Sequence, residues 1–247
     1  MAVTDMEAAL FQGLCERALA SSVMPAYGFV DKAAELLLLK LDPGEAVKWR
    51  SLRRLKREPQ RILRCAWIDA ELQTFFDEHT RGRAIEIGSG LSTRFHRLSY
   101  VSDWPSFSWL SVDSKEVIDS TMRLLPLTDN HRCLVHDFCA QQWLPQLSFD
   151  CATAVVIENR RLLHDIELTI RSCRQLLEQA GHVHLIVEIS RDCEAILMAE
   201  FANNIQILNR LALCRSRRSR WHSFFSRRSY QSVQQFSLLH IELSTSV

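Results

Sequence analysis

The sequence predicts an α/β fold in which a mostly parallel sheet is covered by helices on both faces. Three observations carry this expectation. Apolar residues recur at helical spacing through the N-terminal third, and short apolar strands alternate with helical segments from Ala84 onward. No repeat or low-complexity linker divides the chain, so one hydrophobic core is expected. Strands that alternate with helices form parallel sheets, and such sheets bind ligands beyond the carboxyl ends of their strands.

The elements follow in order. Helices are expected from Thr4 to Ala20, Asp31 to Lys40, Gly44 to Arg57 and Ile62 to Glu78, the last with Ile62, Cys65, Ala66, Ile68, Leu72 and Phe75 on one side. Ala84 to Ile87 reads as a first strand, Gly88-Ser89-Gly90 as a turn and Leu91 to Leu98 as the start of a helix. Ser108 to Asp113 is a second strand and Ser114 to about Leu125 a helix. Strands follow at His131 to His136, Asp150 to Glu158 and Gly181 to Ile189, with a helix from Asp165 to Gln179 before the last. Asp192 to Leu213 reads as a further helix and Gln235 to Leu243 as a terminal strand.

Composition narrows the class. With 247 residues, 47% of them hydrophobic, the chain can bury a full core. The 30 Lys and Arg nearly balance the 29 Asp and Glu, so overall charge gives no argument for nucleic acid or an anionic membrane. No basic start precedes an apolar run, and no apolar stretch approaches the roughly 20 residues that cross a bilayer. The 8 cysteines stand singly, with no Cys-x-x-Cys pair for zinc or redox chemistry. A soluble, cytoplasmic protein with reduced thiols and no metal is expected.

The chemistry gathers around the first turn. Gly88 and Gly90 lack Cβ atoms where the backbone must approach a ligand and take positive φ. A dinucleotide fingerprint calls for a third glycine at position 93, and this chain has Thr93. Glu86, just before the turn, would repel a pyrophosphate but suits a ligand ammonium group. Asp113, ending the next strand, stands where an acid accepts both ribose hydroxyls of a nucleoside. The ligand then has a ribose and an amino-acid moiety but no diphosphate, and S-adenosylmethionine fits these conditions.

The run Glu86-Ile87-Gly88-Ser89-Gly90-Leu91-Ser92-Thr93-Arg94-Phe95-His96-Arg97-Leu98, with Arg64-x4-Asp69 before it and Val112-Asp113-x3-Val117-Ile118 after it, resembles the leucine carboxyl methyltransferase and polyketide O-methyltransferase family. The likeness covers roughly Ile62 to Ser190. It implies a Rossmann-like methyltransferase fold with a seven-stranded, mostly parallel sheet. Residues 1–80 would be a helical lid that selects substrate, and residues 81–247 the cofactor-binding core. It further implies that Arg64 meets the cofactor carboxylate, that Asp113 binds the ribose, that Asp137 and Phe138 lie near the adenine, and that Glu158 lies in the same pocket. The implied reaction is methyl transfer to a carboxyl or hydroxyl of a small molecule. Family members commonly follow the fourth-strand Glu with Gly and a nearby Tyr; Asn159 and Leu163 stand there in this chain.

A carboxylate acceptor is already ionised and needs no base, whereas a hydroxyl acceptor would want one, for which His164 is the candidate. Other readings stay open. Asp113 and Asp137 also suit helix caps, Arg94 and Arg97 suit ion pairs that hold their helix, Arg64 suits a plain surface position, and His131 and His136 suit structural roles. Two basic runs stand apart: Lys48, Arg50, Arg53, Arg54, Lys56, Arg57, Arg61 and Arg64, and then Arg215, Arg217, Arg218, Arg220, Arg227 and Arg228 with Trp221, Phe224 and Phe225. The second would suit an anionic or carrier-bound acceptor. Methylation of RNA or protein through these runs, and cofactor binding without turnover, are the alternatives; nucleic acid and membrane are not the expected partners.

Overall fold

The computed structural model describes residues 5–41, 44–88, 90–100, 106–136, 149–158, 165–216 and 233–245. Asp137, Phe138, Asn159, Leu163, His164 and the basic stretch 217–232 lie outside them. Contacts divide the chain into two units, Met1–Glu158 and Asn159–Val247.

The first unit opens with four helices, α1 (Asp5–Val23), α2 (Lys32–Leu41), α3 (Glu45–Arg57) and α4 (Gln60–Glu78). Then come β1 (Arg83–Ile87), α5 (Arg94–Tyr100), β2 (Ser108–Asp113), α6 (Lys115–Leu124), β3 (His131–Val135) and β4 (Thr153–Ile157). The four strands are parallel in the order β3-β2-β1-β4. Register pairs Ile87 with Val112 on one side and with Ile157 on the other. A central strand covered on both faces is mainly apolar, and Ala84, Ile85 and Ile87 are fully buried, with Glu86 the buried exception. Strand order reverses at β1, so the turn after β1 sits at the switch point, where parallel sheets open a crevice.

Aromatic packing fixes α4 and α5 against the sheet. The cross-strand row Ala84, Trp109 and His131 meets Phe76 of α4 and Phe95 of α5. Phe76 stacks on Phe107 with centroids 4.1 Å apart, and Phe95 lies 4.7 Å from His131. Phe75 meets Phe76 edge to face at 5.3 Å. These contacts place the α4 and α5 charges described below.

The N-terminal helices share this core rather than standing apart from it. Leu14 and Ala18 of α1 and Ala34 and Leu37 of α2 pack with Leu125, just past α6. A second cluster joins Ala20, Phe29, Leu55 and Ile62. By contacts these helices group with β1 to β4, and the boundary between units falls at 158/159.

The second unit contains α7 (Ile166–Ala180), β5 (His182–Ser190), α8 (Arg191–Glu200), β6 (Ile205–Ser216) and β7 (Val233–Ser244). Its strands are antiparallel in the order β5-β7-β6. Asp165 caps α7 by accepting the Leu168 N–H at 3.0 Å. The described strands number seven, four of them in the parallel set.

One expectation is corrected here. The helix read from Asp192 to Leu213 ends at Glu200, and residues from Ile205 onward form a strand. Asn203 and Asn204 break the helix: the Asn204 N–H donates to Phe201 O at 2.7 Å, and its side chain donates to Ser244 O at 2.8 Å. The helical look of Ile205, Leu208 and Leu211 has a plain cause. A register shift between Ile207 and Asn209 inserts one residue into β6, so the alternation of a strand is displaced partway along it.

Truncation of Phe75, 1% exposed beneath the sheet, should cost about 3–5 kcal/mol for Phe75→Ala, read as a lower urea midpoint at unchanged slope.

Candidate active site

The turn after β1 is built as its glycines require. Gly88 has φ 69° and Gly90 φ 66°, conformations that side chains strain to adopt. The Gly88 N–H donates to Val112 O at 3.0 Å, and the Glu158 N–H donates to Ile87 O at 3.1 Å. The ends of β1, β2 and β4 are thus drawn together at one edge. The Gly90 N–H then donates to Asp113 Oδ2 at 3.0 Å, closing the turn onto the end of β2.

Asp113 has a double role. Its Oδ1 accepts the N–H of Ser114, the residue that precedes α6, at 2.8 Å; the N-cap position itself is Ser114, so Asp113 does not take the capping role its residue type also suggested. Each oxygen has accepted one backbone N–H and keeps a further lone pair. Its side chain is only partly buried. Burial pushes its pKa up, against the pull of the Ser114 and Gly90 N–H groups.

Glu86 is held among protein groups at the end of β1. It is 1% exposed, and its Oε1 accepts from Arg94 Nη1 and, at 2.9 Å, from Ser92 Oγ. Arg94 also holds Asp69 Oδ1 through Nε at 2.8 Å, and its Nη2 stands 2.6 Å from Glu158 Oε1. Arg64 Nη2 lies 3.9 Å from Glu158 Oε2. Arg94 and Arg97 therefore make the ion pairs that their spacing allowed, and the guanidinium of Arg94 meets three carboxylates.

The network continues into the N-terminal helices. Arg97 donates to Asp69 Oδ2 at 2.7 Å and to Asp31 Oδ2 at 2.6 Å. Asp31, wholly buried, accepts from Thr93 Oγ1 at 2.5 Å and caps α2 through the Ala34 N–H at 2.9 Å. Arg17 of α1 stands 3.3 Å from Asp31 and donates to Leu91 O and, at 3.3 Å, to Thr93 Oγ1. Four carboxylates (Glu86, Asp69, Glu158, Asp31) face four guanidinium groups (Arg94, Arg97, Arg64, Arg17), so the formal charge of the cluster cancels.

Like charges around one cation titrate apart. Burial pushes the Glu158 carboxyl up, but Arg94 and Arg64 overcome this and hold it down at about 2. Burial, with the charge of Glu158 added, pushes Glu86 up despite Arg94. Burial also favours neutral Asp31, yet Arg97, Arg17 and Thr93 leave it lowered. Apart from this cluster, His131 meets Ser111 Oγ through Nε2 at 3.0 Å. Burial, aided by His96, pushes His131 down to about 4.

Of the residues singled out from the sequence, Arg64, Glu86, Gly88, Gly90, Asp113 and Glu158 come together in the first unit. Arg17, Asp31 and the pairing role of Asp69 were missed. Asp69 was visible in the Arg64-x4-Asp69 spacing, and Asp31 precedes an apolar helix as a cap residue does. Nothing local announces that Arg17 reaches residues 91 and 93. The first basic run is partly absorbed by structure, because Arg61 and Arg54 both pair with Glu16, 2% exposed. Among the described residues no group of three or more His, Cys, Asp and Glu could hold a metal ion, and no helix is long and apolar enough to cross a membrane.

No protein-family model matches the sequence, and no curated protein matches it. Solved structures match by shape. A candidate methyltransferase from Thermobifida fusca YX superposes with a TM-score of 0.51 at 11% identity, over 88% of this chain and 95% of that one. What this chain shares with that structure is the fold, a Rossmann-like α/β sheet covered by helices. Thermoplasma acidophilum protein 1320 gives a TM-score of 0.51 at 12% identity, over 78% of this chain and 95% of the other. The mitomycin 7-O-methyltransferase MmcR gives 0.43 at 14% identity, over 86% of this chain and 68% of its own.

Removing Arg94 leaves buried Glu86 with only the Ser92 hydroxyl and takes one of two guanidinium partners from Asp69 and Glu158, so Arg94→Ala should lose about 3–5 kcal/mol of unfolding free energy, measured by urea titration at pH 7. His131 gives a pH signature. Its folded pKa, about 4, lies below the ordinary 6.5, so between these values the unfolded chain binds the extra proton. This contribution to stability is intact above pH 6.5 and falls away toward pH 4. His131→Gln should flatten that part of a urea-midpoint series; an unaltered slope would contradict the assignment.

Proposed function

We propose that this chain is an S-adenosylmethionine-dependent methyltransferase that methylates a carboxyl or hydroxyl group of a small molecule. The observation that carries the reading is the Gly90 N–H to Asp113 bond at the strand-order switch. It joins a positive-φ glycine turn to an acid that keeps lone pairs for a ribose. Thr93 supports the choice of cofactor: it is wholly buried and bonded to Asp31, filling the position where a pyrophosphate-binding turn needs a third glycine.

The residues present fit such a cofactor, with one change from the sequence expectation. Asp113 would accept the ribose hydroxyls. Arg64 and Glu158, whose side chains are 15% and 16% exposed, would meet the carboxylate and ammonium of the methionine moiety. Glu86 is enclosed and supports Arg94 beneath them. Asp137 and Phe138 are proposed beside the adenine from the family resemblance, which also suggests the leucine carboxyl and polyketide O-methyltransferase group.

When bound, the cofactor supplies a methyl group activated by a sulfonium centre. The protein's share is to hold the acceptor in line and exclude water. A carboxylate acceptor needs no proton removed. A hydroxyl acceptor gives its proton to a base, and His164 is proposed for that role. Arg54 and Arg61 are committed to Glu16, which leaves the first basic run a weaker platform for nucleic acid than its composition suggests. The acceptor is proposed to be a small, anionic or carrier-bound molecule in the cytoplasm.

Calorimetry with S-adenosylmethionine and its demethylated product tests the reading. Both should bind, and Asp113→Ala should weaken each about 10–100-fold through loss of a charged hydrogen-bond acceptor. If neither ligand binds the wild-type protein, the proposal fails.

A further inference from the structure

We infer that Arg17 and Asp31, on the N-terminal helices, are positioning residues that set the glycine turn and Asp113 for the ligand. The link Leu91-Ser92-Thr93 joins the turn to α5, and it is held from outside the α/β elements. Arg17 donates to the Leu91 carbonyl and to Thr93 Oγ1, while Asp31 accepts from Thr93 Oγ1 at 2.5 Å and from Arg97 at 2.6 Å. Leu10 of α1 roofs the turn itself: a Cβ built on Gly90 would lie 3.0 Å from Leu10 Cδ2.

The mechanical chain is short. The carbonyl of Leu91 belongs to the residue directly after Gly90, and the Gly90 N–H is the group that orients Asp113. Fixing residues 91 and 93, directly after a turn with two positive-φ glycines, removes freedom the turn would otherwise keep. Neither Arg17 nor Asp31 lies among the groups proposed to touch the ligand; Arg17 acts through the Leu91 carbonyl and both act through the Thr93 hydroxyl. Because coupling is reciprocal, a ligand that tightens the Gly90–Asp113 bond also stabilises α1 and α2 where they grip the link.

The inference deepens the proposed cofactor reading and, for its effect on affinity, rests on it; its first test does not need the cofactor. Amide exchange at Gly90, followed by NMR in the ligand-free protein, should quicken about 10-fold in Arg17→Gln and in Thr93→Val. It should stay near wild type in Thr93→Ser, which keeps the hydroxyl. The Trp109 amide in β2, which donates to Asn130 O at 2.7 Å within the same unit, is the internal control for any general loss of stability. Unchanged Gly90 exchange relative to Trp109, or a Thr93→Ser protein as impaired as Thr93→Val, would overturn the inference.

The second arm is calorimetric. The dissociation constant for S-adenosylmethionine should rise about 10-fold in Arg17→Gln and Thr93→Val and recover in Thr93→Ser. Faster Gly90 exchange with unchanged affinity would also overturn it. Faster exchange in a wild-type background that binds neither S-adenosylmethionine nor its product supports the positioning of the turn and removes the cofactor reading instead.

Discussion

The guanidinium of Arg94 is the point from which the first unit is organised. It is 2% exposed and lies against Glu86 of β1, Asp69 of α4 and Glu158 at the end of β4. A buried cation of this kind is tolerable only when its charge is met by groups with good geometry, because desolvation otherwise costs several kcal/mol. Three separate elements are therefore obliged to converge on α5. The aromatic contacts of Phe76 and Phe95 bring α4 and α5 onto the sheet, but they are indifferent to small sliding motions. The ion pairs are directional, and they select one register.

The same logic extends outward to Asp31. A carboxylate with no exposure cannot be left with one partner, and it has Arg97, Arg17, Thr93 and the Ala34 N–H. Two of these come from the segment after β1 and one from α1. The N-terminal helices are thus bound to the site by charge as well as by the apolar clusters around Leu14 and Leu55. This accounts for their grouping with β1 to β4. Helical periodicity shows which face of α1 is apolar; it carries no information about where a single arginine in that face will find its carboxylate.

The local features were the legible ones. The β1 strand, the glycine turn, β2 with its terminal acid, and the helix behind each were readable because period and turn chemistry are encoded within a few residues. The end of α8 was misread because Ile205 to Leu213 satisfies a helical period once the β6 register shift displaces its alternation. Glu86 was readable at the end of β1, but its partner Arg94 was not. Its neighbour Arg94 is eight residues away in sequence, and only the short α5 turns that guanidinium back over β1. Residues at i and i+3 share a helix face, so Arg94 and Arg97 were expected to act together; that both would converge on Asp69, some 25 residues earlier, is a property of packing.

Thr93 explains why this turn is not simply a dinucleotide turn lacking a glycine. In such a turn the third glycine lets helix and strand approach closely around a diphosphate. Here a β-branched side chain is wholly buried at that position, and its hydroxyl sits between Asp31 and the Arg17 and Arg97 guanidiniums. The space beside the turn is taken by protein, and the carboxylate of Glu86 lies just beneath it. A diphosphate would meet that volume and that charge. In the proposed reading, a nucleoside whose tail carries its own ammonium and carboxylate would avoid both obstacles, with Asp113 for its ribose and the partly exposed Glu158 and Arg64 for its tail.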